Sequence, residues 1–111
     1  MNAPTATAVP GAPALLRDRD RDVATIVLNR PEARNSLSEV LLIALSKTLT
    51  EIADDKTVRA VVLAANGPAF CAGHDLKELT TRRSDADGGR DYFHHIMTMC
   101  SAMMQQIISL P

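Results

Sequence analysis

The residues best suited to chemistry lie together in Phe70–Lys77, which reads F-C-A-G-H-D-L-K. A short apolar run precedes this segment and a helix-like pattern follows it, so the spacing predicts a tight strand-to-helix elbow. Gly73 can take backbone angles closed to other residues. Ala72 and Gly73 are small enough to let a ligand approach the main chain, and Asp75 is placed to cap the helix it opens. At such an elbow the first helical N–H groups lack internal partners and face outward in the positive field of the helix end. The chemistry this predicts is stabilisation of a charged oxygen by fixed backbone donors. A plain structural elbow with a helix cap has the same pattern, and spacing alone leaves both readings open.

The other reactive side chains offer less. His74 has no second ligand at metal spacing, so its ring reads as lining rather than as an acid, base or metal ligand, and no metal is expected. His94 and His95 are adjacent on a predicted helix and therefore point in different directions. Cys71 has no paired base in view and Cys100 is remote in sequence, so both read as small buried hydrophobes without a disulfide framework. That usage fits a reducing compartment. A cytoplasmic location is expected, with organelle import through the N-terminal segment as the alternative.

The elements that must position the elbow follow from patterning. With 111 residues the chain can bury about 65% of its unfolded surface. It is 46% hydrophobic and 23% charged with a net charge of −1, a balance that lacks the basic excess needed to bind nucleic acid. No apolar run approaches the roughly 20 residues that cross a membrane. Residues 1–13, rich in Ala, Thr and Pro, read as a disordered leader, and residues 14–111 as the folded part. Ala14–Arg19 and Asp22–Asn29 read as a hairpin. Pro31 then forces a loop. Ser36-Leu37-Ser38-Glu39 predicts a capping box, Ser36 accepting from the backbone near Glu39. Leu42, Leu45, Leu49 and Ile52 follow at helical spacing, with Glu39, Lys47 and Glu51 in solvent and Asp54-Asp55 at the end. Val58–Ala65 reads as a strand covered on both faces and parallel to its partner across a βαβ crossover, which makes the fold class α/β. Thr80–Gly89 reads as an exposed loop. The last helix carries Phe93, Ile96, Met97, Cys100, Met103, Met104, Ile107 and Ile108 on one stripe, before Leu110-Pro111 breaks it.

Three signatures, in order, match a family. I-V-L-N-R-P-E-A-R-N-S-L, V-R-A-V-V-L-A-A-N-G and P-A-F-C-A-G-H-D-L-K-E-L resemble the enoyl-CoA hydratase/isomerase (crotonase) superfamily, over Ala14 to Pro111. G-H-D-L-K-E-L with the later G-R-D-Y is similar to the enoyl-CoA hydratase domain-containing subgroup. The resemblance implies a ββα spiral, of which this chain is the front portion, and a role in fatty acid metabolism. It implies an acyl-CoA thioester as partner, with CoA part of the substrate and no separate cofactor, and a homo-oligomer built on trimers. It implies that the N–H of His74, after Gly73, is one donor of an oxyanion hole. Ala33 and Arg34 would lie beside the pantetheine or adenine, the Ala72 backbone near the adenine, Lys77 near the phosphates, and Asp75 and Leu76 along the same CoA-binding tract. Lys77 also reads as an ordinary solvated helix charge. Met97, Met99, Met103 and Met104 could line an acyl channel, or serve as core or subunit contacts.

The resemblance also defines what the chain is expected to lack. The second donor of the family comes from a glycine-rich segment after the strand that follows this last helix, and the acid-base glutamates of hydratases lie beyond it. The five glycines here include no such run, and Glu32, Glu39, Glu51 and Glu78 match none of the family's catalytic positions. Water addition needs a positioned acid and base. The expectation is therefore a chain that binds an acyl-CoA but does not hydrate it. A non-catalytic acyl-CoA-binding or assembly module is the alternative to an enzyme. A nucleotide-binding βαβ unit is disfavoured, since neither G-x-G-x-x-G nor a P-loop is present.

Overall fold

The computed structural model describes residues 13–111, so the expected leader at residues 1–13 lies outside it but for its last residue. β1 (Leu15–Asp20) and β2 (Val23–Leu28) form an antiparallel hairpin, with Leu15 opposite Leu28 and Asp20 opposite Val23. Arg21, in the turn between them, takes a left-handed φ of 56°. β3 (Ala60–Ala65) pairs in parallel with β2, from Val23 opposite Ala60 to Leu28 opposite Ala65, giving the order β1-β2-β3. A parallel neighbour cannot be reached by a tight turn, and the long connection between β2 and β3 carries the first helix. This is the α/β arrangement that the sequence predicts. β3 starts two residues later than expected because Val58 still belongs to the preceding turn, its N–H bonding the Asp55 carbonyl at 3.1 Å.

The core forms where α1 (Glu39–Ala53) and α3 (Arg90–Ile108) pack on each other and on Ala24, Ile26 and Leu28, the alternate residues of β2. Leu42, Leu45, Leu49 and Ile52 are buried as their spacing predicts, joined by Leu41 and Thr48. Leu41 and Leu42 are 0% exposed, and burial on that scale contributes about 2 kcal/mol per side chain. On α3 the buried stripe is Tyr92, Ile96, Cys100 and Met103. It is narrower than predicted. Met97, Met104 and Ile108 are exposed, because α1 covers one side of α3 only, and Tyr92 takes a core place that the spacing did not assign.

Three local expectations are corrected. The helix cap is Ser38, whose hydroxyl accepts from the Leu41 N–H at 3.2 Å, not Ser36. Ser36 lies upstream in extended chain, where its carbonyl accepts from the Arg30 guanidinium at 2.6 Å. The Glu39 carboxylate, freed from any capping box, meets Nε2 of His95 at 3.0 Å, and the Glu39 N–H goes to the Glu78 carboxylate at 2.9 Å. Second, β3 is not covered on both faces. Val62 is 43% and Leu63 36% exposed, since among the described residues β3 is the last strand of the sheet. Third, α2 (Leu76–Arg82) takes in the first residues of the predicted loop. Gly89 closes that loop tightly. It is buried at φ +91°, and a Cβ there would lie 2.8 Å from the Arg82 carbonyl oxygen.

Candidate active site

Beyond β3 the chain is tied to β2 through a pair of buried asparagines. The Asn66 N–H extends the ladder to the Leu28 carbonyl at 2.8 Å, and the Asn66 side chain donates to Asn29 Oδ1 at 2.6 Å. A third asparagine organises the approach to the elbow. Asn35 is 0% exposed and left-handed at φ 56°, a region asparagine tolerates better than most residues. Its amide donates to the carbonyls of Asn66 at 2.7 Å and Ala69 at 2.9 Å, while its Oδ1 accepts from the Arg30 N–H at 2.7 Å. One side chain thus fastens the loop after β2 to the loop after β3.

The fastened loops meet as two short extended stretches. The Leu37 N–H bonds the Gly73 carbonyl at 2.7 Å and the Asp75 N–H bonds the Leu37 carbonyl at 3.1 Å, forming an isolated parallel bridge between Leu37 and His74. In a parallel bridge the groups on either side of the bridged residue make the bonds, so the N–H of His74 itself points away from Leu37. Among the described residues no acceptor takes it. Gly73, at φ +92°, makes the turn, and a Cβ built there would meet no heavy atom within 4 Å. The space beside the main chain at this point is open, as the sequence predicts.

The donors of α2 are a different matter. Oδ1 of Asp75 accepts from the N–H groups of Lys77 at 3.0 Å and Glu78 at 3.2 Å, so the helix end expected to greet an anion is closed by its own cap. Oδ2 of Asp75 pairs with the Arg30 guanidinium at 3.1 Å, both side chains being largely buried. Burial pushes the Asp75 carboxyl up, but the Glu78 N–H, the Arg30 guanidinium and the Lys77 N–H outweigh it and hold the carboxyl below its usual range. Asp75 is therefore engaged within the fold, a cap and ion-pair partner rather than an open ligand contact.

The remaining predicted residues divide by position. Ala33 ends the single 3-10 turn Pro31–Ala33 and Arg34 follows it in a left-handed conformation, with the Arg34 carbonyl accepting from the Ala72 N–H at 3.1 Å. Ala33, Arg34, Ala72, Gly73 and His74 are thus brought to one place. Leu76, 71% exposed, and Lys77 lie on the outer side of α2, facing solvent. Cys71 is half-buried against the core. Burial, with the neighbouring Cys71, pushes the Cys100 thiol up, which disfavours its reactive thiolate. The spacing missed Arg30, Asn29, Asn35 and Asn66. Their only signal was the pair of strings N-R-P-E-A-R-N and A-N-G, in which polar residues end two apolar strands.

A cavity of about 560 Å³ lies elsewhere, between the start of β3, the end of α1 and the last turn of α3, lined by Leu49, Ile52, Val61, Leu63, Ile107 and Leu110 among others. Its lining is mostly apolar but includes the charged residues Asp55, Lys56 and Arg59.

Hairpin, crossover helix, parallel strand and open-donor elbow together define an α/β protein of crotonase type. Residues 18–109 match the enoyl-CoA hydratase/isomerase family, and the chain belongs to that family. The crystal structure of an enoyl-CoA hydratase from Mycobacterium smegmatis superposes with a TM-score of 0.80 at 50% identity, over 90% of this chain and 37% of that one. Human enoyl-CoA hydratase domain-containing protein 3, mitochondrial, is 37% identical over 89 residues, 80% of this chain and 28% of that protein. The rat methylglutaconyl-CoA hydratase, mitochondrial, is 33% identical over 97 residues, 86% of this chain and 29% of that protein. The chain spans about a third of the length of the curated relatives it matches, and it corresponds to their N-terminal portion.

Proposed function

We propose that this chain binds an acyl-CoA thioester at the Phe70–Lys77 elbow, with the N–H of His74 donating to the thioester carbonyl oxygen. The observation that carries the proposal is the Leu37–His74 bridge, which uses the groups flanking His74 and leaves its own N–H directed outward beside an open Gly73. A fixed donor of this kind stabilises charge as it develops on the oxygen, and one donor is worth about 3 kcal/mol in rate where a reaction follows. On this reading the Ala33–Arg34 turn and the outward Lys77 meet the CoA moiety, which is part of the substrate. No further cofactor is called for.

In the setting of a full-length relative, the same donor would serve enolate stabilisation during hydration or isomerisation. For the stretch in hand, binding without turnover is the better-supported outcome. Glu51 pairs with Arg17, Glu39 with His95, and Glu78 accepts from the Glu39 N–H, while Glu32 is exposed. A homo-oligomer and a cytoplasmic location complete the proposal, although "mitochondrial" stands in the names of the human and rat relatives.

The test is the carbonyl stretch of a ¹³C-labelled butyryl-CoA on the chain. Binding should shift it to lower frequency, and Gly73→Val should remove the shift, because valine is strained at φ +92°. An unshifted band in the bound wild-type complex sinks the proposal.

A further inference from the structure

The His74 ring poses a question that its main chain does not answer. His74 is half-buried, and its Nδ1 is sealed from solvent with no hydrogen-bond partner among the described residues. Nε2 is not sealed in this way. Buried polar atoms are almost always paired, and an orphaned buried N–H is rarer than an orphaned acceptor. The neutral ring therefore carries its proton on Nε2, with Nδ1 left as a bare acceptor. Nε2 thus carries a donor for which the fold offers no partner among the described residues.

We infer that His74 is a specificity-determining residue with two donors: its N–H takes the thioester carbonyl, and its Nε2–H takes a second oxygen on the acyl group. The favoured ligands are acyl thioesters with an uncharged keto or hydroxyl oxygen a few atoms beyond the carbonyl. This rests on the proposed function for the first contact and adds the second. Asp75 does not compete for the donor, since both its oxygens are engaged with Lys77, Glu78 and Arg30.

Acetoacetyl-CoA and butyryl-CoA differ by one keto oxygen at nearly equal size. Calorimetric titration of the chain should give acetoacetyl-CoA about tenfold tighter binding, the size of one net hydrogen bond. Two near-isosteric variants separate the ring nitrogens. His74→Gln places an amide nitrogen near the position of Nε2 and keeps the preference. His74→Asn places it near the position of Nδ1 and abolishes it. Long-range ¹H–¹⁵N spectra of the unliganded chain should show the Nε2–H tautomer. An Nδ1–H tautomer overturns the inference, as does an equal preference in both variants. If butyryl-CoA binds with a shifted carbonyl but acetoacetyl-CoA binds no better, the inference alone fails. If neither thioester binds, the proposed function fails with it.

Discussion

Replacing Arg30 with Gln tests the joint on which the elbow hangs. The guanidinium donates to the Asp75 carboxylate at 3.1 Å and to the Ser36 carbonyl at 2.6 Å, and so holds the α2 cap against the stretch that leads into Leu37. The side chains of Arg30 and Asp75 are 21% and 11% exposed. Removing one partner of a buried pair costs about 3–5 kcal/mol. Partial exposure of Arg30 places this site at the low end, about 3 kcal/mol, or a fall of roughly 2 M in the urea midpoint. The pH dependence has a definite sign. Asp75 is held below its usual carboxyl range, so its contribution is complete above the unfolded pKa near 3.8 and is lost as pH falls through the lower folded pKa. In Arg30→Gln the cation is gone while burial still pushes the carboxyl up, so acid unfolding should begin at higher pH. Urea melts followed by circular dichroism between pH 3 and 7 measure both effects. A midpoint within about 0.3 M of wild type, with an unmoved acid limb, would refute the assignment of Arg30 as the clamp.

Two further substitutions probe the same frame. Asn35→Ala leaves the buried carbonyl of Asn66 and the part-buried Ala69 carbonyl and Arg30 N–H without their partner, and should cost about 3 kcal/mol in the urea melt. Gly89→Ala puts a methyl 2.8 Å from the Arg82 carbonyl oxygen at a positive φ, and should cost about 2–3 kcal/mol while leaving the carbonyl shift of bound butyryl-CoA intact.

Periodicity made the hairpin, the α1 stripe and most of α3 legible, because those patterns report burial within one element. It failed where an interaction joined residues far apart. The Ser36 capping box was a sound local motif, yet Ser36 lies in the stretch that Arg30 and Gly73 hold in place, so Ser38 is the cap and the helix starts at Glu39. β3 has the composition of a strand covered on both faces, but coverage is supplied by neighbours that composition does not specify. Asn35 was the largest omission. A polar residue in a loop reads as solvated, and only the fold shows it buried between two loops whose carbonyls it serves. The Gly73 turn and the Asp75 cap were readable because each needs only its own neighbours.

The cap sharpens the chemistry proposed for the elbow. A bare strand-to-helix turn is a general anion site, open to any phosphate or carboxylate. Here the Asp75 carboxylate occupies that position, bonded to Lys77 and Glu78 and balanced by Arg30. A preformed anion approaching His74 would meet a fixed negative group beside the donor. A neutral thioester carbonyl would not, and it gains from the His74 N–H as its oxygen acquires charge. On the proposed reading, Asp75 therefore favours a ligand that arrives uncharged at the elbow over one that arrives already ionised. Arg30→Gln should weaken that discrimination only indirectly, through register. Asp75→Asn keeps an acceptor for the Lys77 and Glu78 N–H groups while removing the charge. It should raise the affinity of a free carboxylate such as butyrate at the elbow without improving that of butyryl-CoA. Equal changes for both ligands, read by titration, would show that the carboxylate acts on the fold alone.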